Sequence, residues 1–200
     1  MDPRPATTAD VDVATRIISA AFATDPVWEV ALRRADGRTD HHPPYWRLFV
    51  EGALRFGTVF LADEASAVSI WLPPGADELS PDGSAALEDL LERSLDPADV
   101  AAIHALYARF EASRARLGPH YYLSLLATDQ AARGRGVGQA LLAADLARWD
   151  AEGIPAYLES TNPGNDHRYA RAGFRSIGGF EAVRDRAWVN AMWRDVPAYG

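Results

Sequence analysis

The stretch LLATDQAARGRGVGQALL, residues 125–142, decides the fold of this chain. Its first residues complete an apolar strand pattern, and its last residues begin a helix with one apolar face. Gly134, Gly136 and Gly138 lie at the junction between the two. Free N–H groups at a helix N-terminus attract anions, and glycine lets a phosphate approach the main chain closely. The stretch therefore predicts an anion-binding loop between a strand and a helix.

Two other phosphate-binding motifs are excluded by this stretch. A Walker loop needs a lysine after its last glycine, and the chain contains no lysine. The dinucleotide-binding fingerprint needs the spacing G-x-G-x-x-G, whereas the glycines here fall at 134, 136 and 138. For the loop taken alone, a tight turn without a ligand stays open as the alternative.

Apolar periodicity predicts alternating helices and strands along the chain. Helices are predicted at 7–22, 45–56, 84–94, 97–117, 137–150 and 165–172. Strands are predicted at 58–62, 67–72, 120–128, 155–160, 174–180 and 187–193. The polar, proline-rich segment 35–44 is predicted to be a loop. The order of strand, helix and strand over 120–160 predicts that its two strands lie parallel and near each other.

A second informative segment is YLESTNPGNDHRYARAGF, residues 157–174. Asn165 and Tyr169 are four residues apart, so they share one face of the predicted helix. Together with Arg133-x-x-Gly136-x-Gly138, this segment resembles the GNAT superfamily of acyl-CoA N-acyltransferases. The glycine loop matches the superfamily's cofactor signature, and the Asn and Tyr positions are in register with the segment that commonly follows it.

The resemblance implies an α+β fold, an α/β sandwich. Helices cover both faces of a central mixed, mostly antiparallel sheet with splayed parallel central strands. It implies one domain over residues 1–200, with the cofactor-binding core at 118–180. Within the superfamily, the runs at 20–26, 67–74 and 155–160 are similar to puromycin N-acetyltransferase-like members. This similarity suggests antibiotic resistance as a role.

The resemblance also implies acetyl-CoA as the acyl donor. The backbone amides of the glycine loop would hold its pyrophosphate, and exposed N–H groups near residues 126–128 would polarise the thioester carbonyl. The implied cofactor-binding residues are Leu126, Ala127, Thr128, Arg133, Gly134, Arg135, Gly136, Val137, Gly138 and Asn165.

Two residues are candidates for proton transfer. By resemblance, Tyr169 lies near the thioester sulfur, where a phenol with a pKa of about 10 can protonate a leaving thiolate whose thiol has a pKa of roughly 8.5. The alternative is that Tyr169 only packs its helix on the sheet. Glu159, on the preceding strand, is the candidate base. The alternative for Glu159 is a strand-end acid that faces solvent or pairs with Arg168 or Arg171.

The acceptor is expected to be a primary amine of a small molecule that attacks the donor directly in a ternary complex, because no cysteine is present to carry the acyl group. Two alternatives stay open: a non-catalytic acyl-CoA sensor domain, and an enzyme that modifies protein N-termini or lysines. Aromatic residues are more often core than pocket. The candidates for the acceptor pocket are Asp25, Trp28, Tyr45, Trp46 and Trp71.

The amino-acid composition limits which partners and metals are expected. A net charge of −8 without a basic cluster argues against nucleic acid. No apolar run approaches the roughly 18 residues that a membrane span needs, and no signal-peptide pattern begins the chain, so a cytoplasmic protein is expected. The five histidines show no metal-ligand spacing, so no metal is expected. The oligomeric state cannot be read from the sequence; dimers are common in the superfamily, so a homodimer stays open.

Overall fold

One seven-stranded mixed sheet, with helices on both faces, forms the protein. The structure, a computed structural model, describes residues 3–198. Its strands are β1 (Arg4–Pro5), β2 (Val59–Leu61), β3 (Ala67–Leu72), β4 (Tyr121–Thr128), β5 (Ala156–Ser160), β6 (Arg175–Glu181) and β7 (Trp188–Arg194). Its α-helices are α1 (Val11–Phe22), α2 (Trp28–Ala31), α3 (His42–Leu54), α4 (Pro81–Ser94), α5 (Pro97–Arg114), α6 (Val137–Glu152) and α7 (Asp166–Arg171).

The strands lie in the order β1-β2-β3-β4-β5-β7-β6. The strands β4 and β5 run parallel, and the other neighbouring pairs run antiparallel. The predicted α+β fold is therefore confirmed, including the parallel pair at its centre. In the described part of the chain, no helix is both long enough and apolar enough to cross a membrane.

The predicted elements are present, with shifted ends. Helix α3 begins at His42, inside the segment predicted to be a loop, because Pro43 and Pro44 occupy its first turn, where no N–H group needs an acceptor. The predicted helix at 97–117 ends earlier, at Arg114. The elements β1 and α2 were not predicted, because two and four residues are too short to show a period.

Strands β4 and β5 share a ladder over only part of their length. They are paired from Tyr121↔Ala156 to Leu123↔Leu158. On its other side, β4 pairs with β3 in a register that jumps at Ser124, since Trp71 faces Leu123 while Ile70 faces Leu125. Ser124 is therefore an additional residue, a β-bulge, and a bulge bends its strand. Beyond it, β4 and β5 no longer share a ladder.

The bulge also changes which side chains of β4 face each side of the sheet. Leu123 packs in the hydrophobic cluster that includes α6, whereas Leu125 and Ala127 pack in the cluster that includes α1, α3, α4 and α5. Without the additional residue, the strict alternation of a strand would place all three on one side. The point where β4 and β5 stop pairing therefore lies between two separate hydrophobic cores.

A buried carboxylate ties α6 to the sheet. Asp145 is completely buried and accepts hydrogen bonds from Ser69 Oγ at 2.6 Å and from Trp71 Nε1 at 3.0 Å. Arg148 lies 3.3 Å from its other oxygen. Burial raises the pKa of Asp145 to about 6, although these three contacts favour the charged form.

Because the pKa of Asp145 is raised in the folded state, the native protein holds this proton more tightly than the unfolded chain does. The resulting stabilisation is complete below about pH 4 and is lost as the pH rises through about 6. We expect the free energy of unfolding of the wild type to fall by about 2–3 kcal/mol over this range relative to Asp145→Asn. Urea unfolding at a series of pH values measures both curves.

The control for this experiment is Asp82→Asn, the same chemical change at an exposed aspartate. Its curve should run parallel to that of the wild type. A parallel curve for Asp145→Asn would contradict the link between this carboxyl group and stability.

Candidate active site

The glycine loop begins where β4 ends. Asp129 accepts the N–H of Ala131 at 3.0 Å and pairs with Arg16 at 2.8 Å, which fixes the first turn of the loop. Gly134 and Gly136 then have φ angles of +78° and +76°. Glycine adopts this left-handed conformation readily, whereas residues with a Cβ atom do so at a cost. The two glycines therefore let the chain reverse direction directly before α6.

The loop places free N–H groups at the start of α6. The first hydrogen bond into this helix runs from the N–H of Ala140 to the carbonyl of Gly136 at 3.0 Å, so the N–H groups before Ala140 have no intrahelical acceptor. At Gly138, a Cβ atom would lie 2.5 Å from Thr128 Oγ1. Glycine at 138 is thus required by the close approach of α6 to the end of β4.

A cleft of about 1360 Å³ extends from this loop through the opening between β4 and β5. Its lining residues belong to both hydrophobic clusters, so the cleft joins the two faces of the sheet. Arg135 is exposed and is absent from the lining. The other predicted cofactor residues line it: Leu126, Ala127, Thr128, Arg133, Gly134, Gly136, Val137, Gly138 and Asn165.

Helix α7 presents both residues of the second motif to the cleft. Asn165 lies directly before the helix, its Oδ1 accepts from Arg168 at 3.1 Å, and Tyr169 lies one turn further on. Burial, with the nearby carboxylates of Asp25 and Asp166, raises the pKa of Tyr169 to about 12. The phenol of Tyr169 is therefore protonated at neutral pH.

Asp25 also borders the cleft, but its oxygens are already engaged. Oδ1 accepts the N–H groups of Val27 at 3.0 Å and Trp28 at 3.2 Å, and Oδ2 accepts the hydroxyl of Thr161 at 2.7 Å. Its side chain joins the turn before α2 to the chain that follows β5. Asp25 therefore holds the wall of the cleft in place next to Tyr169.

Aromatic side chains form the wall opposite the sheet. Trp28 and Trp46 line the cleft, and Trp28 is stacked on Phe110 with ring centroids 6.0 Å apart. Tyr45 is buried outside the lining, where its hydroxyl lies 2.6 Å from that of Tyr107, which does line the cleft. Tyr45 therefore supports the wall from behind.

The structure corrects the prediction for Trp71. Its side chain is completely buried on the opposite face of the sheet, where it donates to Asp145 and lies 5.8 Å from Trp149 in an edge-to-face contact. The bulge opposite Trp71 sets this orientation. Trp71 therefore belongs to the core under α6 and has no place in an acceptor pocket.

Glu159 lies on β5 and lines the cleft. Its Oε1 accepts the hydroxyl of Tyr157 at 2.9 Å, and its buried Oε2 has no hydrogen-bond partner among residues 3–198. Burial raises the pKa of Glu159 to about 7, although Arg114 and the phenols of Tyr122 and Tyr157 favour the charged form. Glu78 adds to the rise.

The cation that faces Glu159 is Arg114 of α5, rather than Arg168 or Arg171. Arg168 donates to Asn165 instead, and no ion pair joins Glu159 to Arg171 in the part of the chain that the structure describes. Sequence reasoning missed a group of polar residues around Glu159. This group comprises Glu78, Arg114, Tyr122, Ser124 and Tyr157.

Comparison with known proteins identifies the fold that carries this cleft. The profile of the acetyltransferase (GNAT) family matches residues 83–174. A solved structure from Corynebacterium glutamicum, of histone acetyltransferase HPA2 and related acetyltransferase, is 25% identical, with a TM-score of 0.63 over 100% of this chain and 99% of that one. Residues 83–174 of the chain form a GNAT acetyltransferase domain.

Two further solved structures share the fold of this GNAT acetyltransferase at lower identity. A mosquito arylalkylamine N-acetyltransferase-like protein is 18% identical, with a TM-score of 0.66 over 97% of this chain and 99% of that one. The Drosophila melanogaster polyamine N-acetyltransferase, which forms N-acetylagmatine, is 15% identical, with a TM-score of 0.69 over 97% and 99%. The similarity to puromycin N-acetyltransferase-like members stays a prediction.

GNAT enzymes use acetyl-CoA as their donor, and the loop of this acetyltransferase has the features that a pyrophosphate requires. Gly134 and Gly136 present main chain without side chains, the first N–H groups of α6 are free of intrahelical acceptors, and Arg133 adds a positive charge at the same end of the cleft. The residues present therefore fit the family's cofactor.

The contact between Gly138 and Thr128 gives a test of the loop geometry. We expect Gly138→Ala to lower the free energy of unfolding by about 1–3 kcal/mol, because its methyl group would overlap Thr128 Oγ1. In a Thr128→Ala background, which lacks that oxygen, the same change should cost much less. Chemical denaturation of the four proteins of this cycle measures the coupling between the two sites.

Gly118→Ala is the matched control, because a Cβ atom at Gly118 would meet nothing within 4 Å. Equal costs for Gly138→Ala in both backgrounds would contradict the contact between α6 and the end of β4.

Proposed function

We propose that the protein transfers an acetyl group from acetyl-CoA to the primary amine of a small molecule, by direct attack within a ternary complex. The observation that carries this proposal is one continuous cleft. The glycine loop borders it at one end, Tyr169 borders it at the opening between β4 and β5, and Glu159 borders it on the acceptor side. We treat residues 1–200 as a single domain with its cofactor-binding core at 118–180.

The loop end of the cleft suits the pyrophosphate of the cofactor. The N–H groups of Gly136, Val137 and Gly138 would bind it, and Arg133 would add charge. Leu126, Ala127 and Thr128 border the cleft where β4 no longer pairs with β5, so main-chain groups there would contact the donor. Asn165 would complete the site from the start of α7. Arg135, which is exposed and outside the lining of the cleft, would add positive charge nearby without contacting the cofactor.

Glu159 and Tyr169 would carry out the proton transfers of the reaction. Acetyl-CoA supplies the acetyl group, whose C–S bond breaks as its new C–N bond to the acceptor forms. Glu159 takes one proton from the acceptor ammonium and passes it to water. Tyr169 gives its proton to the departing sulfur and is restored by the second proton that the nitrogen loses. The products are an amide, the free thiol and one proton released to solvent.

The shape of the acceptor side favours a small molecule. Trp28, Trp46 and Phe110 form part of an aromatic wall around the opening, which suits a compact amine better than an extended peptide. Two of the structural neighbours are named for arylalkylamine and polyamine acetylation, and we extend small amines as a class to this protein. An antibiotic acceptor, a cytoplasmic location and a homodimer stay predictions.

A thiol-release assay with acetyl-CoA tests the proposal across a panel of amines that includes alkyl amines, polyamines, anilines and aminonucleosides. We expect turnover with small amines, and we expect Tyr169→Phe to lower kcat by roughly 100-fold or more, because it removes the proton donor. The affinity for acetyl-CoA, measured by calorimetry, should change little.

Tyr121→Phe is the matched control, because Tyr121 bonds to Glu152 at 2.8 Å away from the cleft. Binding of acetyl-CoA without turnover of any amine would instead identify an acyl-CoA sensor. Turnover of peptides alone would identify a protein acetyltransferase. An unchanged kcat for Tyr169→Phe would remove Tyr169 from the mechanism.

The pH dependence tests the base. Glu159 accepts a proton only as a carboxylate, so kcat/KM of the wild type should rise as the pH increases through about 7, the pKa of Glu159 in the free protein. We expect Glu159→Gln to lower kcat/KM by at least ~100-fold at pH 8 and to lose this rise. Initial rates at amine concentrations well below KM, from pH 5.5 to 9, give both profiles. A rise with the same midpoint in Glu159→Gln would assign it to another group.

A further inference from the structure

A second carboxylate faces the opening between β4 and β5 from the side opposite Glu159. Glu78 lies in the connection between β3 and α4, and its carboxylate accepts the hydroxyl of Ser124, the bulge residue of β4. Both Glu78 and Ser124 line the cleft. Since Glu159 extends from β5, the opening has a carboxylate on each of its two sides.

One guanidinium faces both carboxylates. Arg114 of α5 favours the charged forms of Glu78 and of Glu159, and its guanidinium carbon lies 4.7 Å from the ring centroid of Tyr122. Two carboxylates and one guanidinium leave one negative charge uncompensated when both acids are ionised. The Oε2 atom of Glu159 is buried and has no hydrogen-bond partner among the described residues. The cluster therefore lacks one cationic hydrogen-bond donor.

The other polar groups around this cluster do not supply a cationic donor. The phenol of Tyr122 interacts with Glu159 and favours its charged form, but it carries no positive charge. The hydroxyl of Tyr157 is shared between Glu159 and Ser113, at 2.9 Å from each. Further out on the same cleft, Glu88 is paired with His104 at 2.9 Å, and Glu111 is exposed. The acceptor half of the cleft therefore has an acidic lining, whereas its loop end has Arg133.

We propose that Glu78 and Glu159 together bind the acceptor as an ammonium ion, so that the acceptors are alkyl amines, which are cationic at neutral pH. Anilines, which are neutral at that pH, and amines with a carboxylate beside the nitrogen are disfavoured. This inference rests on the proposed function and adds Glu78 as the residue that determines acceptor class.

The two carboxylates would have different tasks. An ammonium ion carries three N–H donors and is costly to bury without a counter-charge. Glu159 removes one of its protons before attack. Glu78 would be the anchor: burial raises its pKa, whereas the hydroxyl of Ser124 and the charge of Arg114 favour its carboxylate, and that carboxylate would hold the nitrogen at the opening while the proton leaves. A single carboxylate could not both accept the proton and remain the anchor.

The experiment compares acceptors and variants in the thiol-release assay. The cationic probes are 2-phenylethylamine, agmatine and 1,4-diaminobutane; the neutral probes are aniline and 4-methylaniline; the probe with an adjacent carboxylate is phenylalanine. For the wild type we expect turnover of cationic probes at kcat/KM values at least ~10-fold above those of the other two groups. This ratio is measured on the wild type alone, so it does not depend on whether a variant folds.

For Glu78→Gln we expect KM for the best cationic probe to rise by roughly 10- to 100-fold, because a charged hydrogen bond is lost. The value of kcat and the affinity for acetyl-CoA should change less than about threefold, since Glu159 and Tyr169 remain in place. Glu78→Asp, which keeps the charge, should recover part of the loss. Glu92→Gln, which removes the same charge from an exposed position of α4 outside the cleft, is the matched control.

The outcomes separate the two proposals. Turnover of anilines as efficient as that of alkyl amines, or an unchanged KM in folded Glu78→Gln, overturns the ammonium site and leaves the acetyltransferase function standing. Absence of thiol release with every amine overturns the proposed function and this inference with it. If Glu78→Gln does not fold, as judged by circular dichroism and acetyl-CoA binding, the wild type tests the ammonium site instead. A kcat/KM for 2-phenylethylamine at least ~10-fold above that for 4-methylaniline supports the site, and equal values overturn it.

Discussion

The end of the pairing between β4 and β5 is the constraint on which the rest of the structure depends. The two strands share hydrogen bonds up to Leu123 and Leu158, and the bulge at Ser124 then turns β4 away. A parallel pair at the centre of a sheet normally has both faces covered, so a cleft through it requires such an interruption. The same bulge assigns the following residues of β4 to the opposite core, so one additional residue sets both the opening and the packing beside it.

The cleft through this opening has opposite electrostatic character at its two ends. The loop end offers unpaired N–H groups and Arg133, which suit phosphate oxygens. The acceptor side offers the carboxylates of Glu78 and Glu159, whose pKa values are raised mainly by burial. Electrostatic interactions are stronger where water is excluded. Under the proposed function, this separation of charge would give an anionic cofactor and a cationic amine different places in one cleft.

Much of the fold was predictable because its signals are local. Helix α1 lies within the helix predicted at 7–22, and β3 coincides with the strand predicted at 67–72. Asn165 and Tyr169 share the cleft because a helical period of four residues is fixed by the backbone itself. Trp71 was placed wrongly, because the face that a strand residue occupies depends on register with its neighbour, and the register changes at a bulge that leaves no signal in the sequence.

The sequence by itself determined the end of the cleft at Gly134, Gly136 and Gly138, since a glycine-rich turn before a helix has its chemistry in the main chain. Only the tertiary structure decided the acceptor end. Glu78 and Arg114 come from a loop and a helix far from Glu159 in the chain, and their charges act on Glu159 only because the sheet opens between them. Their effect depends on distance and burial, and neither quantity can be obtained from the order of the residues.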